Sequence, residues 1–319
     1  MRAFINPGHS REVIFTRNAT EAINLVAASW GRTFLEAGDE IVISEMEHHA
    51  NFVPWQVLRD EKGIVMRQAP IGDDGEFLMD AFAKLLGPKT KLVAITQMSN
   101  VLGTVLPVAD IARMAHDAGA KVLIDGAHAP GTLPLDIPAL GADWYAANLH
   151  KWYFAPRGCG LLWAAEAAQQ DLHPAAISWR LDEGYTAEFD WNGTRDPSPF
   201  LCFPDGVTFM DALGAERVRS YNHDLVVNGA GLLFERYGPD LALPEAMTGA
   251  MALAPLPVAL PAAATQAQAV RDALWFQHGI EVPVVSWGGR LWARTAAQVY
   301  CDMADFERLA EAVATIRVN

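Results

Sequence analysis

The sequence predicts an α/β fold with a mostly parallel sheet between helices, followed by a smaller C-terminal α+β domain. Strand-like and helix-like segments alternate from residue 11 to about residue 165. Several of the strand-like segments are continuous apolar runs, which is typical of strands buried on both faces. After residue 200 the composition shifts, so we expect a large domain over 1–205 and a small one over 206–319. The chain has 319 residues, of which 51% are hydrophobic, enough for a large core.

The elements of the first part can be assigned in order. Predicted strands cover 13–16, 41–43, 64–69, 92–96, 122–124, 143–147 and 160–163. Predicted helices cover 19–30, about 51–60, about 78–86 and 108–118. Such alternation indicates a parallel sheet covered by helices on both faces, and these sheets bind ligands outside the carboxyl ends of their strands.

The second part contains fewer strands. A long helical stretch is predicted over 207–237; the segment 239–265 is rich in Ala, Pro and Leu, and its Ala/Pro stretch at 252–264 is expected to form loops and a short strand. A helix over 265–278, strands near 281–285 and 290–294, and a last helix over 304–316 follow. These segments predict the small α+β domain.

Composition excludes several classes of function. The formal net charge of −14 argues against nucleic acid or an anionic membrane as a partner. No apolar run is long enough to span a membrane, and the first residues lack the apolar core of a signal peptide. The three cysteines are widely spaced without a ligand pattern, which favours a reducing compartment and argues against a structural zinc. We therefore expect a cytoplasmic protein without a metal site.

Two polar groups follow neighbouring strands of the predicted sheet. Asp125 ends the apolar run Val122-Leu123-Ile124, and His150-Lys151 follows the strand 143–147. Taken singly, Asp125 could cap a helix and Lys151 could lie on the surface. Together they suit pyridoxal phosphate, because a Lys amine can form a Schiff base with its aldehyde and a carboxylate can keep its ring nitrogen protonated. The pair therefore predicts this cofactor.

Three more candidates follow strands, each with a plainer alternative. Thr20 could hold a phosphate at a helix start, although an ordinary N-cap is the interpretation favoured locally. His48 could stack on a flat cofactor and move protons, whereas adjacent His48 and His49 face different ways and so argue against a metal site. Asn100 could bind the cofactor's phenolic oxygen or a substrate carboxylate, and a turn residue is equally compatible.

In combination these motifs resemble the class V aminotransferase group of fold-type I pyridoxal-phosphate enzymes, over nearly the whole chain. Residues 11–126 most resemble cysteine desulfurases of the selenocysteine-lyase type, and the rest is similar to isopenicillin N epimerase-like proteins. The first resemblance is carried by Arg17-Asn18-Ala19-Thr20-Glu21-Ala22, Met46-Glu47-His48-His49-Ala50-Asn51 and Ser99-Asn100-Val101-Leu102-Gly103-Thr104. The second is carried by Asp125-Gly126-Ala127-His128-Ala129-Pro130-Gly131, Asn148-Leu149-His150-Lys151-Trp152 and Gly193-Thr194-Arg195-Asp196-Pro197-Ser198.

The resemblance implies a role for each matching position. Lys151 would be the Schiff-base lysine, Asp125 the partner of the ring nitrogen and His48 the imidazole stacked on the ring. By the same resemblance, His128 would contact the phenolic oxygen, and Thr20 and His150 would hold the phosphate. Thr194 would reach the phosphate of a neighbouring subunit, and Arg294 would bind the substrate α-carboxylate. A homodimer with its site at the subunit interface is thus expected. A bidentate, always charged Arg suits a carboxylate.

Two departures from the family weigh on the activity. Desulfurases carry a nucleophilic Cys in a loop shortly before the carboxylate-binding Arg, whereas residues 282–290 contain none. Cys301 follows Arg294 in the chain, Cys159 is expected in the core and Cys202 matches no role. The family also has a further N-terminal segment that this sequence does not show, so a truncated or inactive protein is one alternative.

The expected function is Cα deprotonation of an amino acid or a peptide-like amine by a pyridoxal-phosphate enzyme. Lys151 would remove the proton, with His48 or His128 assisting. Epimerase or lyase chemistry of the isopenicillin N epimerase type is favoured, and a cysteine desulfurase or selenocysteine lyase is the alternative.

Overall fold

A computed structural model describes residues 5–238, 248–257, 260 and 263–316. Its first seven strands form one sheet and its last three form another. The strands are β1 (Val13–Thr16), β2 (Glu40–Ser44), β3 (Val65–Ala69), β4 (Thr90–Thr96), β5 (Lys121–Gly126), β6 (Trp144–Asn148), β7 (Gly160–Ala164), β8 (Met251–Pro255), β9 (Val284–Trp287) and β10 (Arg290–Ala296).

The helices of the described residues alternate with strands in the first part and cluster after it. They are α1 (Ala19–Val26), α2 (Arg32–Phe34), α3 (Val53–Lys62), α4 (Met79–Ala83), α5 (Val108–Asp117), α6 (Tyr185–Asp190), α7 (Ser198–Leu201), α8 (Phe203–Leu213), α9 (Ala215–Tyr237), α10 (Ala264–His278) and α11 (Met303–Thr315). A π-helical turn, Ala27–Gly31, joins α1 to α2. Within the described ranges, no helix is long and apolar enough to cross a membrane.

The large sheet has the order β1-β7-β6-β5-β4-β2-β3. Strands β3, β2, β4, β5 and β6 run parallel, and β7 lies antiparallel between β6 and β1. The mostly parallel sheet is therefore confirmed. Its central strands are buried on both faces, and hydrophobic side chains of β4, β5 and β6 are essentially inaccessible to solvent.

Two sequence predictions need correction in detail. The single helix expected over 207–237 is broken at Gly214, whose φ of 85° is open to glycine without a Cβ penalty. The strand expected near 281–285 is instead Val284–Trp287, because that segment pairs with β10. The short strand expected within 252–264 is present as β8, while 258, 259, 261 and 262 lie outside the described residues.

The chain divides into two compact units. The first comprises the chain up to Ile71, Phe77–Ser99 and Leu106–Leu213, and the second comprises Gly72–Glu76, Asn100–Val105 and the described residues from Gly214. The boundary expected at residues 205 and 206 falls inside α8, and the division into folding domains stays a prediction. Each unit has its own hydrophobic cluster, around Trp55 and Trp144 in the first and around Leu274 and Phe306 in the second.

Candidate active site

Lys151 lies in the loop after β6, and its amine is within hydrogen-bond distance of an imidazole. Its Nζ is 2.8 Å from Nε2 of His128, which lies in the loop after β5. On the other side of that ring, Nε1–H of Trp152 donates to Nδ1 of His128 at 3.1 Å. Because β5 and β6 are adjacent and parallel, their loops leave the sheet at the same edge and bring these three side chains together.

Asp125 lies at the carboxyl end of β5 and is only 3% exposed. Its Oδ1 accepts a hydrogen bond from the Ala127 N–H at 2.9 Å. Burial raises the pKa of Asp125 above its usual value, while that hydrogen bond and the charges that Lys151 and His48 carry when protonated act in the opposite direction. Lys151 and His48, which the sequence resemblance assigns to the cofactor, thus both interact electrostatically with Asp125.

His48 is exposed at the start of a short 3-10 turn, His49–Asn51. Its Nδ1 accepts from the Ala50 N–H at 2.9 Å, which fixes the ring and leaves the proton of a neutral imidazole on Nε2.

No group of three or more His, Cys, Asp or Glu side chains in the described ranges could hold a metal ion. This finding concerns only that part of the chain.

Glu47, beside His48, forms a hydrogen-bonded bridge from the β2 loop to β4. Its Oε1 accepts from Ser44 Oγ at 2.6 Å and from the Thr96 N–H at 2.9 Å, and its Oε2 accepts from Asn51 Nδ2 at 2.7 Å. Burial raises the pKa of Glu47 to about 7, although all three hydrogen bonds act to lower it. The bridge therefore carries a buried titratable group next to His48.

The start of α1 is held by two asparagines. Oδ1 of Asn18 caps the helix by accepting from the Glu21 N–H at 2.9 Å, as the local alternative for this segment expects. Oδ1 of Asn148, at the end of β6, accepts from the Ala19 N–H at 2.9 Å. The exposed Thr20 lies in this first turn, so the geometry leaves its role toward a phosphate as a prediction.

His150 is half-buried and its Nδ1 lies 2.7 Å from the carbonyl oxygen of Cys159. Because a carbonyl oxygen only accepts, Nδ1 carries a proton, and Nε2 is protonated only when the ring is charged. Burial lowers the pKa of His150; the hydrogen bond to Cys159 opposes that effect, and the charges of Lys151 and Arg157 reinforce it. Its role toward a phosphate stays a prediction.

The second unit contains both Arg294 and Asn100. Nη1 of Arg294 donates to the carbonyl oxygen of Asn100 at 2.6 Å, and burial lowers the pKa of Arg294. Nε of Arg294 is buried without a hydrogen-bond partner among the described residues, so an anion would satisfy a donor that the protein leaves unpaired. Arg294 also lines a cavity of about 410 Å³ together with Cys301.

Thr194 lies in the exposed segment between α6 and α7. Its expected role toward a neighbouring subunit concerns a second chain and stays a prediction. Sequence reasoning assigned no role to Trp152 or Glu47. A signal existed for Glu47, because it follows an apolar strand by three residues, and an acidic residue is costly to bury there unless it has partners.

The donor set at this edge of the large sheet fits pyridoxal phosphate. The buried carboxylate lies at the carboxyl end of β5, and an exposed primary amine and two imidazoles with fixed Nδ1 partners come from the loops after β2, β5 and β6. Gly160 shows how tightly the framework packs, since a Cβ there would lie 2.7 Å from Asn18 Cα and 2.8 Å from the Ala147 oxygen.

Comparison with known proteins supports this interpretation. A family model described as Aminotransferase class-V matches residues 1–254. A cysteine desulfurase of Dickeya dadantii (strain 3937) is 51% identical over 228 residues, which are 68% of this chain and 55% of that protein. A cysteine desulfurase of Synechococcus elongatus is 39% identical over 246 residues, 73% of this chain and 38% of that protein. The chain thus spans less than two thirds of the length of these relatives.

Solved structures show the same fold. The apo structure of a cysteine desulfurase from Thermococcus onnurineus NA1 has a TM-score of 0.81 and 24% identity, and it covers 97% of this chain and 80% of that one. A C-DES mutant with glycine covalently linked to the PLP cofactor has a TM-score of 0.82 and 21% identity, covering 99% and 83% of the two chains. At these identities the likeness concerns the fold alone.

Proposed function

Because this chain belongs to the aminotransferase class-V family and is a pyridoxal-phosphate-dependent enzyme, we propose that it removes sulfur from L-cysteine. The observation that carries the proposal is the identity of 39% and 51% to cysteine desulfurases over about seven tenths of the chain. The sequence favours epimerase or lyase chemistry of the isopenicillin N epimerase type, with a cysteine desulfurase or selenocysteine lyase as the alternative. The relatives support its alternative better.

The side chains of the site would divide the work among them. When bound, the cofactor supplies an electron sink for the bonds at the substrate Cα. The Lys151 amine is the group that would bind the aldehyde and move the Cα proton, and Asp125 would keep the ring nitrogen protonated. His48 and His128 would orient the ring and exchange protons with it, and Arg294 would bind the substrate carboxylate.

A desulfurase also needs a thiolate to accept the sulfur. Burial raises the pKa of Cys159 to about 12, which leaves it as an unreactive thiol. Cys202 and Cys301 are both partly exposed, but only Cys301 lines the cavity that Arg294 also lines. Its place after Arg294 in the chain had argued against it, whereas the fold brings both residues to one cavity. We therefore take Cys301 as the candidate acceptor.

Sulfur transfer to Cys301 needs no external oxidant. The Cys301 thiolate attacks the sulfur of the substrate, and a new S–S bond forms as the Cβ–S bond breaks. The electron pair of the broken bond stays with the substrate carbon, which takes up a proton to give alanine. Cys301 then carries a persulfide, and two added thiols reduce it to release sulfide and a disulfide.

Epimerisation remains the second candidate, on a specific observation. The segment from Val282 to Arg290, which contains β9 and its turn, has no cysteine, and it precedes Arg294 where desulfurases carry their nucleophile. Without a thiol acceptor, proton return to the other face of Cα would give the opposite enantiomer.

Product analysis distinguishes these reactions. The cofactor-loaded protein is incubated with L-cysteine and dithiothreitol, and alanine, pyruvate, sulfide and D-cysteine are quantified. A desulfurase gives equal amounts of alanine and sulfide, and Cys301→Ser abolishes both while the matched Cys202→Ser retains them. Pyruvate with sulfide would indicate elimination, D-cysteine without sulfide epimerisation, and alanine formation unaffected by Cys301→Ser would overturn the assignment of the thiol.

The expected homodimer and cytoplasmic location remain predictions. In a dimer of the expected kind Thr194 would contribute to the partner's phosphate site. Mixing Lys151→Ala and Thr194→Ala proteins tests this arrangement, because a shared site would assemble one intact centre from two defective chains.

A further inference from the structure

Trp152, His128 and Lys151 form a continuous chain of hydrogen-bonding groups. Trp152 is nearly buried, and its indole Nε1–H lies 3.1 Å from Nδ1 of His128. Nε2 of the same ring lies 2.8 Å from Lys151 Nζ. The indole and imidazole rings are in edge contact, with centroids 6.3 Å apart. The imidazole therefore lies between the Trp152 indole N–H, which can only donate, and the Lys151 amine, whose protonation can vary.

The indole fixes which imidazole nitrogen carries the proton. An indole N–H only donates, so Nδ1 of His128 must present its lone pair to Trp152. A neutral His128 then carries its proton on Nε2, and an imidazolium would set two N–H groups against each other. Since Nε2–H donates toward Lys151, the amine must accept, which only its neutral form can do.

We propose that Trp152 is a positioning residue that locks His128 as the Nε2–H tautomer and thereby holds Lys151 as a neutral amine. A neutral amine is required for attack on an aldehyde, because an ammonium group has no lone pair. Trp152 therefore prepares Lys151 to capture the cofactor. The proposal does not depend on the substrate, so it stands whether or not the protein is a desulfurase.

Other charges act on the same amine. Asp125 and His150 both interact electrostatically with Lys151, the first favouring the ammonium form and the second disfavouring it when protonated. His48 interacts with Asp125 as well. Removing the indole N–H leaves these charges in place and isolates the effect of the Trp152–His128 hydrogen bond.

The tautomer is measured directly by ¹⁵N NMR of the histidine side chains. The full chain is labelled with ¹⁵N-histidine, freed of cofactor and assigned by the signals lost in His128→Gln. We expect a pyridine-like Nδ1 and a protonated Nε2 for His128 at neutral pH. A protonated Nδ1 in the wild-type protein overturns the proposal without any variant at Trp152.

Cofactor capture tests the consequence. Pyridoxal phosphate is mixed with the cofactor-free full chain over a range of pH, and the rate at which the visible absorption of the lysine-bound cofactor appears is recorded. In Trp152→Phe the ring is kept and the donor is lost, so we expect capture about tenfold slower at pH 7 and a pH midpoint about one unit higher. The matched control is Trp163→Phe, which removes an indole N–H bonded to Glu12 at 2.9 Å.

Two results would count against a role for Trp152. Equal capture rates and midpoints in Trp152→Phe and wild type would overturn it, as would an equal slowing in Trp163→Phe. Thermal unfolding of each variant identifies a general loss of structure, and in that event the wild-type NMR measurement decides the question. If His128 has the expected tautomer but the protein shows no desulfurase activity, this inference is intact and only the proposed substrate is refuted.

Discussion

Replacing Glu47 by Gln should change how the stability of the protein depends on pH. In the folded protein burial raises the pKa of Glu47 to about 7, from an ordinary value of 4.5. Between these two values the folded state binds more protons at this site than the unfolded state does. The free energy of unfolding therefore falls as the pH rises through this window.

The magnitude follows from the size of the shift. A difference of this size between folded and unfolded pKa corresponds to about 3 kcal/mol, lost progressively between pH 4.5 and pH 7. Glu47→Gln cannot titrate and loses this contribution to the slope. Asp125, whose pKa is also raised by burial, remains in both proteins, and its charge is one of the causes that raise the pKa of Glu47.

The substitution has a second, pH-independent cost. The amide oxygen of a Gln would take the place of Oε1, which accepts from Ser44 and Thr96, and its NH₂ would then face Nδ2 of Asn51. Asn51 cannot turn over freely, because its Oδ1 accepts from Trp55 Nε1 at 3.3 Å. Opposed donors at a buried site cost about 1–3 kcal/mol.

Urea denaturation of the two proteins from pH 5 to pH 8 tests both effects. Glu47→Gln should be less stable than wild type at pH 5 by about 1–3 kcal/mol, and the difference should move in its favour by about 2.5 kcal/mol between pH 5 and pH 8, so that it disappears or reverses. Glu36→Gln, at an exposed position, is the matched control and should run parallel to wild type. Parallel curves for Glu47→Gln and wild type would refute the reasoning.

Three further substitutions probe the framework and the site. Gly126→Ala should destabilise the protein by about 3 kcal/mol in thermal unfolding, because its Cβ would overlap the Tyr145 ring. Asp143→Asn, which weakens hydrogen bonds to Lys121 and to a backbone N–H, should cost about 1–3 kcal/mol in urea. Asp125→Asn keeps an acceptor for its backbone partner but loses the charge, so kcat should fall on the order of 100-fold in steady-state assays.

The sequence predicted the parts of the site that follow from strand order. Asp125 and Lys151 end or follow apolar runs in a segment where strands and helices mostly alternate, and this alternation predicts a mostly parallel sheet whose carboxyl strand ends meet. The observed pairing of β5 with β6 confirms that arrangement. The break at Gly214 was missed because helical periodicity continues across it, and a single left-handed residue leaves no trace in that pattern.

The partners of the site residues could not be predicted in the same way. Glu47 reaches the Thr96 N–H, 49 residues away in the chain, and Asn148 reaches the Ala19 N–H, 129 residues away. Such hydrogen bonds depend on the register of the strands and on the path of the loops, which the hydrophobic pattern does not encode. Trp152 lies next to Lys151 in the sequence, yet its partner is His128, and only the fold shows that contact.

The hydrogen bonds at the start of α1 also limit how this chain could hold a phosphate. Asn148 and Asn18 occupy the N–H groups of Ala19 and Glu21, so the first turn offers a ligand chiefly the Thr20 N–H and hydroxyl. His150 directs Nδ1–H to a carbonyl, so it donates to a phosphate only when Nε2 is also protonated. Burial disfavours that charge, whereas a bound dianion would favour it. If Thr20 and His150 are the phosphate ligands, cofactor binding must therefore take up a proton at His150.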